Sequence, residues 1–67
     1  MARAERRAIS PEMIVSVLQL PTRRVIQPNG RVRYWGLIRD LGAYLSVITL
    51  ADGETVHTYY VDEDFKP

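Results

Sequence analysis

Residues 10–26 read SPEMIVSVLQLPTRRVI, and the period of their apolar residues changes once, at Pro21. Before it, Met13, Val17 and Leu20 recur at i, i+4 and i+7, with Ile14 and Leu18 beside them and Glu12, Ser16 and Gln19 along the opposite side. That spacing predicts an amphipathic helix. Ser10-Pro11-Glu12 supplies its start: a hydroxyl to accept an orphan amide, a proline that needs no donor at the first position, and an acid at the positive end of the dipole. Pro21 ends it, because proline cannot extend the backbone hydrogen-bond ladder. After Pro21 the apolar residues alternate, which is the period of a strand.

Downstream, the turn signals Pro28-Asn29-Gly30, Leu41-Gly42 and Asp52-Gly53 divide the chain into four strands, at about 23–27, 31–39, 44–50 and 55–61. Two-residue hairpins at each turn fix a register. Val25 then opposes Tyr34, Gly36 opposes Val47, Ile38 opposes Leu45, Thr49 opposes Val56, and Leu45 opposes Tyr60. These residues, with Val32 and Thr58, make a mainly apolar face for the helix side of Met13, Ile14, Val17 and Leu18. The expected fold class is α+β, an N-terminal helix packed on a four-stranded antiparallel meander. Gly36, in the middle of the covered face, predicts a bulge or a close approach of the helix backbone. Upstream, residues 2–8 are rich in Ala, Arg and Glu but too few to hold a helix alone. They read as the frayed or truncated end of a longer helix.

At 67 residues the chain has room for one domain, and its hydrophobic share of 46% and charged share of 25% are those of a globular protein. It contains no cysteine, so no disulfide or thiolate metal site can form, and a single histidine leaves no metal shell to complete. No metal or other cofactor is expected. No apolar run reaches the length of a membrane span, and the charges of Arg3, Glu5, Arg6 and Arg7 lead into no signal-peptide core. The expectation is a cytoplasmic protein that does not engage a membrane. Charge is uneven along the chain: residues 1–39 carry eight Arg against Glu5 and Glu12, a net +6, and the rest carry Lys66 against six acids, a net −5. Either one surface attracts an anionic partner or the halves neutralise each other on folding.

The same register puts Arg24, Ile26, Arg33, Trp35, Leu37, Arg39, Tyr44, Ser46, Ile48, Leu50, Thr55, His57, Tyr59 and Val61 on the uncovered face. It has arginines and aromatics but no acid at its strand positions. Guanidinium groups fork onto phosphate and Trp or Tyr stacks on a base, so nucleic acid suits this face. Trp35, Leu37, Ile48 and Leu50 rimmed by arginine suit a protein interface equally well in kind, and the residues favour the protein. So small a core also makes a partner, a second copy or another protein, a default expectation. The uncovered Trp35 calls for a cover, either a partner or the N-terminal segment folded back over it. His57 by itself reads as a structural residue, and Ser46 has no acid beside it to orient His57 as a catalytic base.

Arg7-Ala8-Ile9-Ser10, the helix ending at Leu20-Pro21, Gly30-Arg31-Val32-Arg33-Tyr34, Leu45-Ser46-Val47-Ile48 and Thr55-Val56-His57-Thr58-Tyr59-Tyr60 together carry a likeness. Over nearly its whole length the chain resembles a bacterial domain of unknown function related to the RelE/ParE and BrnT-like toxins. The resemblance implies a RelE-like helix-plus-sheet domain that clamps or cleaves RNA on its open sheet face without a metal, and that an antitoxin protein silences. It implies arginine, histidine and tyrosine holding the scissile phosphate and moving protons as the 2′-hydroxyl attacks. Arg33 matches the basic residue of the family's second-strand pattern; Arg24, His57 and Tyr59 join it only through the register. The candidate catalytic residues are thus Arg33, His57 and Tyr59, and the candidate RNA-binding or interface residues are Arg24, Trp35, Leu37, Arg39 and Ile48. The expected partners are RNA, an antitoxin or a second copy. The family usually carries a histidine in a longer helix ahead of its Arg-x-Ile-Ser segment, and these residues begin after that point. A truncated start, or a member lacking that group, is the expectation.

Overall fold

The computed structural model describes residues 9–67, so the expected end of a longer helix in residues 1–8 lies outside the described residues. Among the described residues one helix, α1 (Pro11–Gln19), precedes four strands, β1 (Arg23–Ile26), β2 (Val32–Ile38), β3 (Ala43–Thr49) and β4 (Val56–Asp62). The strands form one antiparallel meander in the order β1-β2-β3-β4. The fold is therefore α+β. Ser10 caps α1 as expected: its hydroxyl accepts the Met13 N–H at 3.4 Å, and Pro11 opens the first turn. The Leu20 N–H closes the last turn on the Ser16 carbonyl, 3.0 Å away.

α1 packs on β2 and β3. Val17, Val32, Tyr34, Ile38, Leu45 and Val47 form the buried core, with Ile9, Met13, Ile14, Leu18 and Leu41 packed at its margin. Leu45 and Val47 are completely buried. Gly36 lies directly under the helix: a Cβ built there would lie 2.9 Å from Val17 Cγ2 and 3.3 Å from Val17 Cα. The helix approach predicted for this glycine is present.

The registers depart from two-residue hairpins in three ways. Between β1 and β2, Pro28 has no N–H to give to Arg31, so the closing pair moves outward and the Gln27 N–H donates to the Arg31 carbonyl at 2.7 Å. Pro28-Asn29-Gly30 becomes a three-residue loop, with Gly30 at φ +90°. Arg24 then opposes Tyr34 and Ile26 opposes Val32, in place of the expected Val25 against Tyr34. A one-residue slip turns the whole of β1 over. Between β2 and β3 the loop has four residues, 39–42, and Gly36 opposes Leu45 rather than Val47, while Ile38 opposes Ala43 rather than Leu45. That shift is two residues, so every side chain keeps its face.

Between β3 and β4, Thr49 opposes Val56 as expected, but Ile48 opposes Thr58, and the extra residue is His57. This β-bulge turns over the rest of β4. Val61, not Tyr60, lies against Leu45 and is buried in the core. Tyr60 and Thr58, expected under the helix, stand on the open face, opposite Ser46 and Ile48. The slip buries a valine and leaves the tyrosine hydroxyl free to find a partner, which a mainly apolar core would deny it.

Candidate functional site

The open face of the sheet carries Arg33, Trp35 and Leu37 from β2, Tyr44, Ser46 and Ile48 from β3, and Thr58, Tyr60 and Asp62 from β4. Arg33 is the hub. Its Nε donates to Ser46 Oγ at 3.0 Å, and its Nη2 donates to the Tyr60 hydroxyl and, at 3.5 Å, to Asp62 Oδ2. Its guanidinium carbon sits 4.6 Å from the Trp35 ring centre. Ser46 is buried beneath this cluster although it points away from the helix. The hydroxyl is satisfied there because Arg33 lies over it.

Asp62 receives a second donor, the Trp35 indole Nε1–H, at 3.0 Å. That hydrogen bond, together with the Asp64 N–H and the Arg33 charge, holds the Asp62 carboxyl below the ordinary carboxylate range against the opposing effect of burial. Asp62 is ionised at neutral pH, and it cancels one positive charge on the face. Nothing in the strand pattern expected an acid here, because the bulge that brings Asp62 opposite Tyr44 has no sequence signal of its own.

Phe65 completes the group. Its ring stacks on Trp35 with centres 4.9 Å apart and planes at 13°, and it meets Tyr44 edge-on at 4.9 Å and 62°. The Arg23 guanidinium lies 5.4 Å from the Phe65 ring centre. The Asp64 N–H donates to Asp62 Oδ1 at 3.2 Å, which turns the chain after β4 back over the sheet. Within the described residues the cover on Trp35 is the C-terminal segment, where the sequence suggested a partner or, in its place, the N-terminal segment.

The candidate residues separate. Arg33, Trp35, Leu37 and Ile48 share the open face as expected. Arg24 does not: it stands on the helix side, 5.9 Å from the Tyr34 ring centre. Tyr59 opposes Val47, also on the helix side, and is half exposed beyond the reach of α1. His57 is the exposed extra residue of the bulge, and Arg39 lies in the exposed loop after β2. The common face expected for Arg33, His57 and Tyr59 is therefore corrected. The residues that do meet Arg33 are Ser46, Tyr60 and Asp62. Sequence reasoning missed Tyr60 and Asp62 because a hidden bulge reverses parity along β4.

Chemically, the cluster offers one guanidinium already neutralised by a carboxylate, one phenol, and an aromatic stack closed by Phe65. Among the described residues no group of three or more His, Asp or Glu side chains stands close enough to hold a metal ion, and no helix is long and apolar enough to cross a membrane. Compared with known proteins, the chain matches no family model, no curated protein and no solved structure.

Proposed function

We propose that this domain is a noncatalytic protein-interaction module with the RelE-like architecture its sequence resembles. The helix-then-meander order agrees with that architecture. One observation carries the functional reading: Arg33, the residue best suited to hold a phosphate, has Ser46, Tyr60 and Asp62 of its own chain as partners. A guanidinium neutralised in this way attracts a polyanion weakly, since phosphate affinity rests on uncompensated positive charge. His57 and Tyr59 bring no second group to it. Apolar side chains remain for a partner instead, with Leu37 on the open face and Val56 and Tyr59 on β4 all exposed.

The test is incubation of the domain with single-stranded and structured RNA in EDTA, beside Arg33→Ala and His57→Ala. The interaction reading expects no cleavage by any of the three and no salt-dependent retention of RNA. Cleavage by the parent chain that Arg33→Ala abolishes would overturn it.

A second reading is a metal-independent endoribonuclease of the toxin type, held in check by an antitoxin. The contact of Arg33 with Tyr60 favours it, since a guanidinium and a phenol side by side could grip a phosphate and move a proton. It expects cleavage that both Arg33→Ala and Tyr60→Phe reduce at least a hundredfold.

A further inference from the structure

Among the described residues the meander leaves two sheet edges uncovered, and they differ. β1 has four residues, two of them arginines, between Pro21 and Pro28. Short length, charge and flanking proline are the ordinary guards against edge pairing. β4 has seven residues, Val-His-Thr-Tyr-Tyr-Val-Asp, with no Lys, Arg or Pro among them, and α1 packs on β2 and β3 rather than over it. Val56, Tyr59 and Tyr60 are 38%, 44% and 37% exposed along this edge. Its guards are the bulge at His57, which spoils pairing at the first end and leaves Thr58–Asp62 as a regular run, and the Asp62 charge at the other end, which Arg33 and Trp35 meet within the chain.

We propose that this run pairs with the same run of a second copy, antiparallel, about a two-fold axis through Tyr60, to give a continuous eight-stranded sheet. The proposal rests on the protein-interaction reading and names the partner. Five residues have a centre, and the pairing that uses all five sets Tyr60 against Tyr60, Tyr59 against Val61 and Thr58 against Asp62. The Tyr59–Val61 pair joins an aromatic to a β-branched residue on the helix side of both copies, and symmetry makes it twice. Charge selects the same arrangement. Glu63 and Asp64 turn away from the sheet after Asp62, so the acidic ends of the two copies lie at opposite ends of the paired run, whereas a parallel pairing would bring them together. Asp62 is already met by Arg33 and Trp35 within each copy. A domain with so small a core also gains stability from any association confined to the folded state.

Sedimentation velocity across a wide concentration range tests this directly, with circular dichroism to follow folding. The parent chain should run as a monomer–dimer equilibrium. Tyr60→Lys and Tyr60→Glu should each weaken association about tenfold or more, because like charges then face each other on the axis. Mixing the two should restore a heterodimer, as only a Tyr60-to-Tyr60 register allows. Val25→Lys, on the β1 edge, should leave association unchanged. If the Tyr60 variants unfold, Thr58→Glu reads the same contact from outside the Arg33 cluster, since it sets a second acid against Asp62 and should weaken association in a folded chain. A parent chain that stays monomeric at every concentration overturns the proposal, as does a Lys/Glu mixture that fails to associate or an effect from Val25→Lys instead. RNA cleavage would overturn the interaction reading without deciding the edge pairing, and a monomer would overturn the edge pairing without restoring a nuclease.

Discussion

The Trp35 indole N–H and the Asp62 carboxylate meet at 3.0 Å across the open face, joining β2 to the last residue of β4 although those strands are not neighbours. Arg33 shares the same carboxylate oxygen. A salt bridge and a hydrogen bond on one atom make Asp62 the residue on which the sheet face closes.

Asp62→Ala should therefore lower stability by about 1–3 kcal/mol, the range for a charge-assisted hydrogen bond whose partners are left half-buried. Trp35 is the sole tryptophan of the chain, so its emission reports the change directly. Asp62→Asn should cost less, since the amide oxygen still accepts from the indole. A red-shifted spectrum in the alanine variant and a nearly unaltered one in the asparagine variant is the expected pattern.

Acid should weaken the domain through the same residue. The Asp62 carboxyl, held down by Trp35, and the Asp52 carboxyl, held down by the Thr55 hydroxyl and N–H, both lie below the ordinary aspartate value of about 3.9. Their contribution is complete at neutral pH and is lost as pH falls through that range, because the unfolded chain takes up the protons first. Denaturant midpoints measured between about pH 7 and pH 3 should fall, and Asp62→Asn should flatten the slope without removing the Asp52 share. Equal slopes in both chains would deny Asp62 this role.

Phe65→Ala uncovers one face of Trp35. Stacked aromatic pairs contribute about 0.5–1.5 kcal/mol beyond their buried area, so a loss of about 1–2 kcal/mol is expected, with faster quenching of Trp35 by acrylamide. Quenching identical to that of the parent chain would mean that the C-terminal segment does not cover the ring in solution.

Gly36→Ala tests the helix contact. The new Cβ would meet Val17 Cγ2 at 2.9 Å, and the nearby Val17 Cα belongs to backbone that cannot swing away. Overpacking of this kind costs about 1–3 kcal/mol, a large part of the stability of a domain this small. Adding Val17→Ala should return part of the loss, and thermal melts of the two single variants and the double variant measure the coupling.

Several features were legible in the residues because each depends on neighbours close in sequence. The Ser10-Pro11 cap, the stop at Pro21, the change of period after it and the three turn sites are local chemistry, and they determine one helix and four strands in the observed order. Gly36 was legible for the same reason, since a glycine in an alternating apolar run signals something close above it. Val32, Tyr34, Ile38, Leu45, Val47 and Thr49 keep the face their alternation gives them.

What tertiary structure alone decided is the parity of β4; that of β1 follows from Pro28, a local feature that a two-residue hairpin could not accommodate. Pro28 cannot close a two-residue hairpin, and the resulting three-residue loop sends Arg24 to the helix side; the bulge at His57 does the same to Tyr59 and brings Tyr60 and Asp62 to Arg33. With a side-chain period of two, a single inserted residue reverses every position beyond it, and the choice turns on whether Val61 or Tyr60 is buried more favourably against Leu45. That comparison sets β4 against β3, and the Tyr60 hydroxyl's partner Arg33 adds β2, so no local stretch of the sequence contains it.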